Sequence, residues 1–295
     1  MAKPVNTDGE RSATMARRLF CQISPFTYKL SVFKCRTVRR LRDLLGKQHF
    51  AKEKQQEALP VLIYKHNSLI RRKLGNTEMR LQENKAANLA LSAPKVSGIL
   101  IRPGEVFSFW KLVGSTTAAK GYKEGVTISN FQTVPGIGGG MCQFTNLIHW
   151  MVLHTPLKIV EHHHHDRVDL FPDFNRQVPF GTGTSIVYNY LDYRFRNDSD
   201  ITYQLIVYVT PTHLCGELRA SDELPVKYHI KAENEHFVRQ EGEVYRRGQV
   251  YRICVDKKTG NELSRELIRD NHAKVMYDPS NLVVLSENIT EPDIK

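Results

Sequence analysis

Apolar residues recur most regularly between residues 141 and 153. Phe144, Leu147, Ile148, Met151 and Val152 follow helical steps, so this stretch is predicted to be a helix with one apolar stripe, ended by Pro156. Counting by the same steps from Cys142 reaches Thr145, Asn146 and His149, which places the thiol on the opposite, polar stripe. Helices are also predicted over residues 56–74 and 83–101, the second as one or two helices with Pro94 between, because proline removes an N–H and clashes with the preceding turn. Strand-like runs occupy residues 105–109, 157–160, 185–195 and 201–209. The last two are separated by a polar turn at residues 196–200, which reads as a hairpin. Residues 225–230, 244–255 and 262–277 continue the β pattern, with a turn at 257–260. The expected fold is α+β, an antiparallel sheet packed with the Cys-bearing helix. Its expected parts are a basic helical segment over 1–80, disordered up to about residue 20, a central domain over 81–212 and a β-rich extension over 213–295.

Charge sharpens that division. The net charge of +11 is concentrated in residues 1–80, which hold 18 Lys and Arg against 6 Asp and Glu. Between residues 17 and 45 the basic residues alternate with Phe20, Phe26, Tyr28, Leu30, Phe33 and Leu41. Three readings of that mixture stay open: a basic helix solvated on one face, contact with an anionic membrane, or nucleic acid. The last is the weakest, because the chain carries no zinc finger or other nucleic-acid motif. Five cysteines, with no Cys-x-x-Cys pair, argue for free thiols in a reducing compartment. No run of about 18 apolar residues and no signal-like N-terminus are present, so the expected location is cytoplasmic, at most peripheral to the membrane.

The candidate chemistry sits at the start of the Cys142 helix. Gly136, Gly138, Gly139 and Gly140 precede it, and glycine lets a backbone amide approach a substrate oxygen closely. A cysteine in a first helical turn meets the positive end of the macrodipole, which favours thiolate. Gly138, Gly139, Gly140, Gln143, Thr145 and Asn146 are therefore expected to bind substrate or its oxyanion around a Cys142 nucleophile. The competing reading makes Cys142 a small core residue and the glycines a tight turn. The run of His162, His163, His164 and His165 invites a metal, yet neighbours in one run rarely all reach one ion, and no metal or cofactor is expected.

The string Gly138-Gly139-Gly140-Met141-Cys142-Gln143 resembles the core motif of the VanW family. Residues 103–110, 121–125 and 192–198 are similar to the family's other fixed stretches, in the same order, and the likeness spans roughly residues 84–209. The resemblance implies an association with glycopeptide resistance and L,D-transpeptidase-type cross-linking of peptidoglycan through the motif cysteine. It makes Cys142 the nucleophile, His165 its base and Asp192 an orienting carboxylate. Two departures stand out: His162 replaces the usual arginine, and Gly183 falls where many members carry aspartate. The alternative is a non-catalytic accessory that binds a peptidoglycan stem peptide, its precursor or a resistance enzyme, with the Gly-rich turn as a carboxylate cradle.

Overall fold

The structure, a computed structural model, describes residues 19–71, 78–129, 132–164, 167–173 and 177–286. The chain divides into two units, residues 1–46 and 47–295.

The first unit contains α1 (Pro25–Leu45). Its start is written in the sequence. Ser24 Oγ accepts from the Thr27 amide at 3.2 Å, Thr27 Oγ1 accepts from the Ser24 amide at 2.9 Å, and Pro25 presets the first helical residue.

In the second unit, in chain order, stand β1 (His49–Phe50), β2 (Val61–Leu69), α2 (Met79–Val96), β3 (Ile99–Ile101), β4 (Glu105–Ser108), α3 (Phe109–Val113), β5 (Glu124–Ser129), β6 (Gln132–Ile137) and α4 (Met141–Val152). Then come β7 (Lys158–Glu161), β8 (Val168–Asp169), β9 (Arg194–Arg196), β10 (Tyr203–Val209), β11 (His213–Ala220), β12 (Val226–Gln240), β13 (Glu243–Asp256), β14 (Glu262–Val275) and β15 (Val284–Ser286). Helices and largely antiparallel sheets make this an α+β fold, as expected.

The sheet β2-β11-β10-β3 is the platform for the Cys-bearing helix. Its strands are antiparallel, and α4 packs on β11 and β2 while α2 packs on β10. The stripe Phe144, Leu147, Ile148, Met151 and Val152 is fully buried there. Gly216 on β11 makes the close approach feasible, since a Cβ at that position would meet Met151 Cε at 2.6 Å. A second sheet, β1-β4-β9-β7, stacks Phe107 on Phe195 with ring centroids 4.6 Å apart.

Several expectations are corrected. The segment 56–74, read as helix, contains β2, whose alternating exposure and pairing from Val61↔Ala220 to Leu69↔His213 are those of a strand. Its apolar residues fit neither period cleanly, and pairing with β11 decides. That strand and β1 pair within the second unit, which begins at Lys47. Pro94 does not divide α2, because it lies in the last turn, and the chain after it forms β3. The expected hairpin across residues 196–200 is absent: β9 pairs with β4 and β7, whereas β10 pairs with β11 and β3. Only Arg194–Arg196 of the run 185–195 is strand. Its preceding residues close a tight turn through Val187 and Leu191, with Asn189 at a φ of 66°.

The β-rich tail forms a long meander, β12-β13-β14, extended on its edges by β15 and β8. Among the described residues no helix is long and apolar enough to cross a membrane.

Candidate functional site

The Gly-rich stretch is less open than its composition suggests. Gly136 and Ile137 belong to β6, and only Gly138–Gly140 form the turn into α4. The Gly138 amide donates to Lys123 O at 3.0 Å and the Gly139 amide to Gly136 O at 3.1 Å. Asn88 on α2 grips the same turn, its Nδ2 donating to Gly139 O and Lys123 O at 2.9 Å each and its Oδ1 accepting from the Lys123 amide. Each glycine also has a steric reason. Gly138 and Gly140 take φ values of 79° and 109°. A Cβ at Gly139 would collide with the Gly125 backbone, and one at Gly140 would meet Lys85 Cγ at 2.5 Å. The expected oxyanion cradle is thus corrected at Gly138 and Gly139, whose amides are already engaged.

Cys142 is the second residue of α4, as read from the sequence, but its chemistry differs from the expectation. Its side chain packs against the hydrophobic core cluster, and burial pushes the thiol up, while a backbone hydrogen bond from Ile186 pulls the other way. The macrodipole offers roughly 0.3–1 kcal/mol to an anion at this position, whereas burial shifts an ionisable group by as much as several pKa units. At this partly buried side chain, desolvation opposes the macrodipole and disfavours thiolate.

The polar stripe continues as a seam holding the loop 181–185 to α4. Asn146 Oδ1 accepts from the Thr184 amide at 2.7 Å and from Thr184 Oγ1 at 2.8 Å. The hydroxyls of Thr145 and Thr184 lie 2.5 Å apart, and both residues are buried. Gln143 does not join them: its Nε2 donates to Ser68 Oγ at 2.8 Å and Leu69 O at 2.9 Å, tying α4 to β2.

Asp192 is buried and saturated. It accepts from Ser108 Oγ at 2.5 Å, the Trp110 amide at 3.0 Å, the Tyr193 amide at 2.9 Å and Arg194 Nε at 2.7 Å. These bonds brace the start of α3 against β9. The carboxylate thereby ties the start of α3 to the strand that carries Arg194. His165 lies outside the described residues. Among the described residues no three His, Cys, Asp or Glu side chains gather as a metal site would require.

The residue that sequence reasoning passed over is His149, at the far end of the stripe. It is buried, its Nδ1 lies 3.0 Å from Tyr193 Oη, and its ring stacks on His162 with centroids 4.3 Å apart. His162 Nε2 donates to Gly183 O at 2.8 Å, which fixes its tautomer and leaves Nδ1 as an acceptor. Burial holds His149 well below the ordinary imidazole range, and burial likewise lowers His162, so both rings are neutral at pH 7. Its place beside Cys142, Thr145 and Asn146 on one stripe was the signal available.

His149 and His162 face a cavity of about 560 Å³. Leu153, Leu157 and Ile159 form an apolar wall, and Lys158, Arg252 and Arg269 bring positive charge. Arg252 is anchored to the end of α4 by donation to Leu153 O at 3.0 Å and to Thr155 O, and faces Glu266 at 3.5 Å. Arg269 donates to His164 Nδ1 at 3.0 Å. Asp198, also in the wall, is paired with Arg196.

A family model described as VanW like protein matches residues 84–219. The chain is 34% identical over 232 residues, 79% of its own length and 84% of the relative's, to the vancomycin B-type resistance protein VanW of Enterococcus faecalis (strain ATCC 700802 / V583). It belongs to the VanW family. A shorter likeness, 31% over 115 residues, covers 39% of the chain and 36% of the uncharacterized protein YoaR of Bacillus subtilis (strain 168). No solved structure matches the chain. Within the VanW frame, the glycines, Cys142 and Asp192 fall inside the matched segment, whereas Arg252, Glu266 and Arg269 come from strands beyond it.

Proposed function

We propose that this member of the VanW family serves glycopeptide resistance as a recognition protein for peptidoglycan stem peptides or their precursors. It holds the ligand in the His149–His162 cavity and forms no covalent bond at Cys142. Support for resistance comes from the vancomycin-resistance relative, and the observation that carries the binding mode is the contrast along α4. The thiol end packs against the core, where burial opposes ionisation, while the imidazole end opens on a space within the range of about 300–1,000 Å³ typical of ligand pockets. A short peptide with small apolar side chains and a terminal carboxylate matches walls that combine leucines with Lys158 and Arg269. His162 and His149, neutral, accept or donate single hydrogen bonds to peptide groups.

Titration calorimetry with a synthetic stem pentapeptide, paired with intact-mass spectrometry, tests this. Binding should be the same for wild type and Cys142→Ala, should weaken about tenfold in Arg269→Gln through loss of a charge-assisted contact, and should leave the protein mass unchanged. A peptide adduct that disappears in Cys142→Ala would replace this reading with acyl transfer by the cysteine. No binding by the wild-type chain would remove it.

A further inference from the structure

A different surface draws attention in the first unit. α1 is a 21-residue helix, about 30 Å long at 1.5 Å per residue, and none of its residues is buried. Phe26, Leu30, Phe33, Thr37, Leu41 and Leu44 succeed one another at steps of three and four, which aligns them along one face. Phe26 is 73% exposed, Phe33 67% and Leu44 79%. Lys29, Arg36 and Arg40 run along one border of this stripe and Lys34 along the other. Over residues 25–45 six Lys and Arg stand against one acidic residue, Asp43.

Charge narrows what can cover the stripe. A second copy of α1 would bring another basic helix against the first, and like charges at close range oppose pairing. Residues 47–295 hold 32 Lys and Arg against 28 Asp and Glu, so the remainder of the chain carries no net negative charge to attract the helix. An anionic lipid surface satisfies both halves of the pattern, taking the phenylalanines and leucines between acyl chains and the cations among phosphates. The helix is not apolar enough to span a bilayer, and it has the length and polarity of one lying along its surface.

We propose that α1 is an in-plane membrane anchor that docks the protein on anionic lipid through the Phe26–Leu44 stripe. The site in residues 47–295 would then work next to a membrane face. The anchor itself does not depend on the ligand reading above.

Vesicle flotation of the full chain tests the proposal, with vesicles of phosphatidylcholine alone or mixed with phosphatidylglycerol. The wild-type chain should float with the mixed vesicles, remain largely soluble with neutral ones, and be released by high salt. The variant Phe26→Ser/Phe33→Ser/Leu41→Ser should lose at least tenfold in partition coefficient. Lys29→Gln/Lys34→Gln/Arg40→Gln should lose on the order of a hundredfold, since each cation near the surface contributes roughly fivefold. Both variants should keep the wild-type unfolding transition of residues 47–295, which separates loss of docking from loss of fold. Equal partition into neutral and mixed vesicles, or undiminished flotation of the serine variant, would overturn the proposal. So would a concentration-dependent dimer of the wild type, absent in the serine variant, together with no vesicle binding.

Discussion

The two ends of the polar stripe on α4 began from the same kind of residues and came to opposite states. At the N-terminal end the backbone amides of Gly138 and Gly139, the Asn146 carbonyl and the Thr145 and Thr184 hydroxyls are all spent on holding protein to protein. At the other end His149 and His162 stack on each other and face a cavity bounded by charged strands from the tail. The lesson is that a family's most recognisable string can record a packing solution, while the space for a ligand opens a few turns away.

The largest test of this contrast acts on the closed end. Gly139→Ala forces a Cβ into the Gly125 backbone, and Asp192→Ala leaves Arg194 buried beside Glu161 with one carboxylate fewer. Asp192→Ala should destabilise the fold by about 3–5 kcal/mol and Gly139→Ala by about 1–3 kcal/mol, read from denaturant midpoints. By comparison Arg269→Gln, at the open end, should change stability by about 1 kcal/mol or less. Similar losses at both ends would erase the distinction.

The histidines supply a second test, of intermediate size. Burial lowers His149, His162 and His154, the last to about 4. Because these rings lose affinity for protons on folding, the unfolded chain binds more protons below the ordinary imidazole value of 6.5. Stability is therefore full above that value and falls as pH drops from about 6.5 towards 4. The slope should reach about 1.4 kcal/mol per pH unit for each ring titrating in the window. Thermal unfolding across this range should show His149→Gln with a shallower decline than wild type; an unchanged or steeper one would place His149 in solvent.

How far these features could be read in advance depended on the range of the forces that make them. The helix 141–152 was legible because its burial stripe is local, and the tail's strands were legible from alternation and the turn at Asp256, whose Oδ1 accepts from the Lys258 and Thr259 amides. β2 was not, since only pairing with β11, some 150 residues later, makes a strand of it. Asp192 looked like a catalytic carboxylate because nothing in its neighbours announces that Ser108 and Trp110 will converge on it. The thiol's place at the start of α4 is legible because it follows from local periodicity, whereas its burial depends on the whole fold. The cavity combines α4 and β7 with β14, more than 100 residues apart, and left no trace in any single stretch.

A smaller test concerns Gly183, which lies beside His164. A Cβ there would stand 3.3 Å from His164 Nε2, so Gly183→Asp should place a carboxylate beside that imidazole and move its ring resonances in an NMR spectrum. The mildest effect is expected at the cysteine itself. Iodoacetamide should alkylate Cys142 more slowly than an ordinary thiol at pH 7, with a rate that rises only above the usual thiol pKa of about 8.5.

Chemical-shift mapping with an unlabelled stem peptide on isotope-labelled protein addresses the contrast between the two ends most directly. The peptide should move the resonances of His149, His162 and Arg269 and leave those of Gly138 to Cys142 in place. Shifts concentrated at Gly138 to Cys142, with His149 and His162 unmoved, would contradict the account and return the ligand to the cysteine.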